Sequence, residues 1–166
     1  RSIATLLSLG SSTAHAQEFP VGGAPTTPAA SGNVTVAAQL NQQLAFVEDE
    51  FVAAADAMPE DKYSFAPTTE FPNGNFRGVR NFAQQVLHVA GANYMLYGAI
   101  IPDEPRPMTP AATASKAEIM KFLRDSFAFA HKAIATITTE NMLTPVGRAP
   151  NAFAGTNLQQ IGRAHV

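Results

Sequence analysis

Apolar residues recur along the chain at spacings of three and four, which is the repeat of an amphipathic helix. The first stripe with this repeat consists of Val36, Leu40, Leu44, Val47, Phe51 and Ala54. A helix that begins near Val34 would therefore carry one continuous apolar face. Pro59 cannot continue it, because proline lacks the amide hydrogen and its ring clashes with the preceding turn. The pattern predicts a first helix that ends just before Pro59.

Two more stripes predict further helices. The second helix is predicted from about Val79 to Ile100, with a main apolar face of Val79, Phe82, Val86, Val89 and Leu96. The third carries Ile119, Phe122, Leu123, Phe127, Ala130, Ile134 and Ile137. Ser115 and Glu118 match a capping box at its start, because the serine hydroxyl can accept from the third helical amide while the glutamate reaches back.

A fourth helix is predicted to start between Phe153 and Thr156, so that only its first turns fall within the chain. Pro-rich segments separate the helices, and no run alternates apolar and polar residues as a strand would. These features predict an all-α fold, namely an up-and-down four-helix bundle with a truncated fourth helix. The connection 59–78 contains four aromatic residues, which predicts that it packs on the bundle; they are Tyr63, Phe65, Phe71 and Phe76.

The first residues have the pattern of a secretory signal peptide. A basic start at Arg1 precedes the apolar run 3–9, and Ala14-His15-Ala16 is an A-x-A cleavage site. The alternative is one turn of a buried helix. We expect cleavage after Ala16 and therefore export to the periplasm or the extracellular space. Residues 17–33 are rich in Pro, Gly, Thr and Ala, which is typical of a flexible linker.

The last six residues, IGRAHV at 161–166, match the translation of a common sequencing adapter. The alternative is a genuine polar tail. We expect the adapter origin, in which case the folded domain covers 34–160, is incomplete in its fourth helix, and His165 has no chemical role.

Composition narrows the function classes. Hydrophobic residues make up 46% and charged residues 14%, with a net charge of −2, so the chain is not generally disordered and has no basic field for nucleic acid. It contains no cysteine (Cys 0), which excludes disulfides and thiolate metal sites. The apolar run 3–9 is too short to span a membrane.

Two histidines remain in the predicted mature domain. His131 lies beside the apolar stripe of the third helix, and we expect it to extend to the surface. His88 lies in mid-helix, off the main stripe, in a lane with Gln85, Ala92, Met95 and Ala99. Because small residues flank it, His88 could reach a metal ion between helices. The alternative is a histidine hydrogen-bonded on a helix flank, since one imidazole does not make a metal site.

The segment 58–67, MPEDKYSFAP, is followed by VLHVA at 86–90 and by FLRDSF at 122–127. This order of helix, connection, His-bearing helix and third helix resembles the DinB family, the DNA-damage-inducible B-like bundles, which are distinct from the similarly named polymerase. The resemblance covers roughly 34–160. It implies a divalent metal ion such as Zn, Ni or Fe, held by one histidine of helix two and two of helix four.

His88 matches the first of these ligands, and the pair of helix four has no counterpart here. We therefore expect the metal in the full-length protein and no stoichiometric metal in this chain. The resemblance implies a metal-dependent hydrolase or thiol transferase, in which an open coordination position activates a bound water or thiol. Export favours the hydrolase. The substrate would be a small molecule of unknown identity, and a homodimer is left open.

The alternative function is a non-catalytic bundle that binds a small ligand in its interhelical cleft. No other catalytic arrangement is present in the sequence. Ser64, Ser115 and Ser126 lack a nucleophile-elbow setting, and Asp103 and Glu104 form a loop pair between prolines.

Overall fold

The computed structural model describes residues 34–67, 73–74, 76, 78–146 and 155–164. Four α-helices make up most of this part of the chain: α1 (Val36–Ala57), α2 (Phe82–Tyr97), α3 (Lys116–Ala135) and α4 (Asn157–Ala164). A short 3-10 turn, Glu60–Lys62, follows α1. Two short strands, β1 (Pro145–Val146) and β2 (Gly155–Thr156), pair antiparallel before α4. The predicted all-α helical bundle is confirmed. The predicted signal peptide, the linker, Phe71 and His165 lie outside the described residues.

Side-chain caps set where the helices begin. Thr35 accepts from the Ala38 amide at the start of α1. Ser115 and Glu118 form the predicted capping box of α3. A second capping box, which the sequence reading missed, joins Asn81 and Gln84 and starts α2 at Phe82 rather than at Val79. An asparagine N-cap satisfies one of the helix-start amides, so the helix begins where Asn81 stands.

The core is centred on α3, which packs against both α1 and α2. Its inward side chains are almost completely buried, and so is the inner face of α2. The fully or nearly buried apolar residues of these two helices include Ala83, Val86, Leu87, Ala90, Tyr94, Tyr97, Ile119, Met120, Leu123, Phe127, Ala130, Ala133 and Ile134. On α1, Leu44 is buried as the stripe predicts, whereas Ala55 rather than Ala54 is the buried alanine near its end.

The segment after α1 ties three helices together. Tyr63 is buried, and its hydroxyl donates to the Ala55 carbonyl at 2.8 Å. The carbonyls of Tyr63 and Phe65 accept from the Ala83 and Phe82 amides at the start of α2, at 2.8 and 3.0 Å. The aromatic connection is thus packed at Tyr63, while Phe65 and Phe76 are partly exposed.

Lys116 joins the start of α3 to the end of α1 and to the segment that follows it. Its Nζ donates to the carbonyls of Asp56 and Met58 at 2.5 and 3.0 Å, and its amide donates to Glu60 Oε1 at 3.2 Å. The ammonium also lies 5.9 Å from the centre of the Tyr63 ring. A cation at the end of α1 satisfies carbonyls that the helix itself leaves open.

Because α2 and α3 both begin at this segment, they run in the same direction, antiparallel to α1. The helices form the predicted bundle, but the predicted up-and-down order of their directions is wrong for α2 and α3. Asn93 and Ser126, side by side in mid-helix, join them by a 3.1 Å hydrogen bond. The connection 98–115 must therefore return along the bundle. Two contacts hold it: Arg106 donates to the Gly98 carbonyl at 3.1 Å, and Lys132 pairs with Glu104 at 2.6 Å.

The short helix α4 starts beside the end of α3. The amides of Asn157 and Leu158 donate to the carbonyls of Thr144 and Met142 at 3.1 and 3.0 Å. From there α4 packs against α2, and Ile161 is buried in the core. A helix that leaves this end of the bundle and packs on α2 runs back toward the start of α2. In the part of the chain that the structure describes, none of the helices combines the length and apolar character that crossing a membrane requires.

Candidate functional site

His88 lies on the solvent side of α2, at the edge of an open groove. The groove has a volume of about 620 Å³ and runs between the first half of α2 and the returning connection. Its lining residues are Gly78, Val79, Arg80, Gln84, Leu87, His88, Thr109, Pro110 and Ala112. The imidazole is exposed. Within the described residues it makes no hydrogen bond or ion pair, so its ring nitrogens are free to bind a ligand or a metal ion.

The predicted lane around His88 is on the outer side of α2. Gln85 and Met95 are exposed and Ala92 is half-buried. A Cβ atom added at Gly91 would meet no atom within 4 Å, which confirms the open space that the small residues suggested. His88 is therefore accessible, and it has no hydrogen bond among the described residues.

The charged side chain that lines the groove is a cation. Among the described residues, Arg80 and His88 are the titratable ones in the lining, and no carboxylate is present there. Arg80 is exposed and, among the described residues, forms no ion pair. By contrast Lys62, Lys116, Lys121, Arg124 and Lys132 each lie within 4.0 Å of a carboxylate oxygen. The sequence reading missed Arg80, although it precedes Gln84 and His88 at steps of four.

The structure corrects the expectation for His131. Instead of extending freely to the surface, it is half-buried between α3 and α1. Its Nδ1 lies 2.7 Å from Asn41 Oδ1, and its Nε2 lies 3.0 Å from Glu48 Oε2. The partners are far away in sequence, so helical spacing could not reveal them. With both nitrogens engaged, His131 acts as a link between two helices.

The other candidates from the sequence have structural roles. Ser126 donates to the Leu123 carbonyl at 2.7 Å and accepts from Asn93, so it is part of the contact between α2 and α3. Ser115 caps α3. Glu104 pairs with Lys132. None of these three side chains lines the groove.

The described residues do not form a complete site for a divalent ion. No group of three His, Asp or Glu side chains with a suitable arrangement occurs among them. His88 supplies one nitrogen, and the other polar side chains in the described lining are those of Gln84, Thr109 and Arg80. Protein sites for zinc and similar ions use three or four strong ligands. Any metal held by His88 would therefore need ligands from outside the described residues.

Burial changes the titration of tyrosines in the core. Desolvation raises the pKa of Tyr97 far above its usual range, and desolvation followed by the charge of Asp125 raises the pKa of Tyr94. For Tyr63, burial and then the charge of Asp56 raise the pKa. The Tyr97 hydroxyl is buried with no hydrogen-bond partner in the described structure. All three act as neutral core residues.

Comparison with known families agrees with this architecture. The profile of the DinB superfamily matches residues 43–164, which is most of the chain. The chain therefore belongs to the DinB superfamily of helical bundles. No curated protein and no solved structure matches it.

Proposed function

We propose that this domain binds a divalent metal ion through His88 and that the exported protein is a metal-dependent enzyme of the hydrolase type. The observation that supports this most directly is the accessible imidazole of His88 on α2, which has no partner among the described residues, in a domain of the DinB superfamily. Zn, Ni and Fe are all suitable ions, because imidazole binds each of them.

The path of α4 also supports the proposal. The helix starts at the end of the bundle that holds Tyr97 and packs along α2 in the opposite direction. Each residue of an α-helix advances about 1.5 Å, so a longer α4 that kept this direction would come level with His88, nine positions before Tyr97. Histidines placed there on the side facing α2 would complete the site.

The experiment is isothermal titration of Zn²⁺ and Ni²⁺ into two proteins, the 166-residue chain and the protein translated from the whole gene. Each is prepared with His88→Ala and, as the matched histidine control, with His131→Gln. We expect one equivalent of metal in the longer protein, lost in His88→Ala and kept in His131→Gln. Unchanged binding by His88→Ala would refute the role of His88, and tight one-to-one binding by the shorter chain would refute the need for further ligands.

A second function is supported by the groove itself. Its mixed lining suits a small molecule, so the domain could bind such a ligand without performing chemistry. The titration separates the two functions, because a purely binding domain would take up no metal through His88 in either protein.

A further inference from the structure

The groove beside His88 is lined by a positive side chain, Arg80. Arg80 is exposed, and among the described residues it pairs with no carboxylate and shares the groove with no Asp or Glu. A guanidinium that is left unpaired next to a groove is suited to bind an anionic group of a ligand, since its planar fork matches two carboxylate oxygens.

The start of α2 does not supply this positive charge. Its first amides are already used: those of Phe82 and Ala83 donate to the carbonyls of Phe65 and Tyr63, and that of Gln84 donates to Asn81. Gln84 Oε1 in turn accepts from the Asn81 amide at 2.9 Å. An anion in the groove would therefore be held by the Arg80 side chain rather than by open backbone donors.

The remaining lining is mixed, and it includes an apolar part. Leu87 belongs to α2, and Pro110 and Ala112 belong to the returning connection across the groove. Thr109 adds one hydroxyl on that side. A ligand that fits this surface has an anionic group at one end and a short hydrocarbon part.

We propose that the groove binds a small molecule with a carboxylate group, and that Arg80 holds the carboxylate while Leu87, Pro110 and Ala112 contact its hydrocarbon part. The inference rests on the proposed function, because it takes the groove to be the substrate side of His88. Arg80 is then a residue that determines specificity, and His88 lies at the reacting end.

The test is a nuclear magnetic resonance titration of the metal-free, isotope-labelled chain with sodium butyrate. Butyramide, which has the same shape without the charge, and inorganic phosphate are the comparison probes. We expect saturable shifts in the amides of 78–88 and 109–112 with butyrate, and none with butyramide. Arg80→Gln should weaken butyrate binding about tenfold, the effect of losing a charged hydrogen bond. Arg80→Lys, which keeps the charge but not the fork, should fall between the two.

Arg124→Gln is the control, because Arg124 is also exposed but lies 4.0 Å from Asp56 and away from the groove. It should bind butyrate like the original chain. The proposal is overturned if Arg80→Gln leaves butyrate binding unchanged, if Arg124→Gln weakens it equally, or if butyramide binds as well. Tighter, Arg80-dependent binding of phosphate would overturn the carboxylate class.

The two experiments together separate this inference from the proposed function. Loss of butyrate binding in Arg80→Gln, together with metal binding that ignores His88→Ala, would mean that the anion site exists and the metal role fails. Metal binding that requires His88, together with no effect of Arg80→Gln on butyrate, would mean that the metal role stands and the carboxylate site fails.

Discussion

His131 and His88 both lie on long helices of one bundle, but the surroundings of their imidazole rings differ. His131 is enclosed between α1 and α3, with Asn41 and Glu48 on its two nitrogens. His88 faces solvent beside a groove whose described lining residues include no carboxylate. A histidine whose two ring nitrogens both have hydrogen-bond partners has no nitrogen left to bind a ligand, whereas an accessible histidine does. The contrast separates a link within the fold from a candidate site.

The largest effect is expected from His131→Ala. The substitution leaves the half-buried oxygens of Glu48 and Asn41 without their partner, which should lower the free energy of unfolding by about 1–3 kcal/mol. Urea unfolding followed by circular dichroism measures it. Glu48→Gln and the double variant complete a cycle, and strictly additive effects would contradict a direct link between His131 and Glu48.

Next in size is Lys116→Met, at the other end of the interface between α1 and α3. The variant loses the hydrogen bonds to Asp56 and Met58 and should be less stable by about 1–2 kcal/mol. Lys121→Met is the matched control, because among the described residues Lys121 pairs with Asp125 alone, on the surface of α3, and its loss should cost at most about 0.5 kcal/mol. Equal effects in the two variants, measured by urea unfolding, would show that this interface is not held by its polar contacts.

The third prediction concerns Tyr97→Phe, on the buried face of α2 opposite His88. The hydroxyl has no partner in the part of the chain that the structure describes, so its removal should raise stability by about 1 kcal/mol at neutral pH. The pKa of Tyr97 is higher in the folded state than in the unfolded state, where it is about 10. The free energy of unfolding is therefore insensitive to this group below about pH 10 and declines as pH rises beyond it.

The free energy of unfolding of the original chain should therefore fall above about pH 10, by up to about 1.4 kcal/mol per pH unit for each such tyrosine. Tyr97→Phe should show a shallower fall. Denaturant titrations at several alkaline pH values give both slopes, and identical slopes would rule out the buried neutral hydroxyl as a source of the pH dependence.

The smallest effect is expected from His88→Ala in metal-free protein. An exposed side chain without partners should change stability by no more than about 0.5 kcal/mol. A loss comparable to that of His131→Ala, in the same urea experiment, would mean that His88 also has a structural role and would remove the contrast between the two residues.

Periodicity and capping patterns were sufficient for most of the architecture. They predicted the apolar faces of three helices and the Ser115 capping box, because these depend on residues close together in sequence. They placed the start of α2 too early, since Val79 looks apolar enough to belong to it while Asn81 caps the helix after it. The pairing of β1 with β2 was missed, because two-residue strands have no alternation to detect.

The site was harder to predict for a physical reason. His88 could be recognised from its small neighbours and from the resemblance of the chain to a family. His131 could not be understood without Asn41 and Glu48, which reach it only when α1 packs on α3. The same holds for Arg80, whose importance depends on Thr109, Pro110 and Ala112 crossing in front of α2. The direction of each helix relative to its neighbours could not be predicted either, since the spacing of residues within a helix contains no information about which neighbour it runs parallel to.

The parallel arrangement of α2 and α3 has a consequence for synthesis. The main packing partner of α1 is α3, although α2 comes between them in the chain. Roughly 80 residues lie between the end of α1 and the end of α3, and a ribosome adds about 5–20 residues per second, so α1 waits about 4–16 s for its partner. The first helix to emerge is thus among the last to be covered, and during that interval its apolar face is open to chaperones.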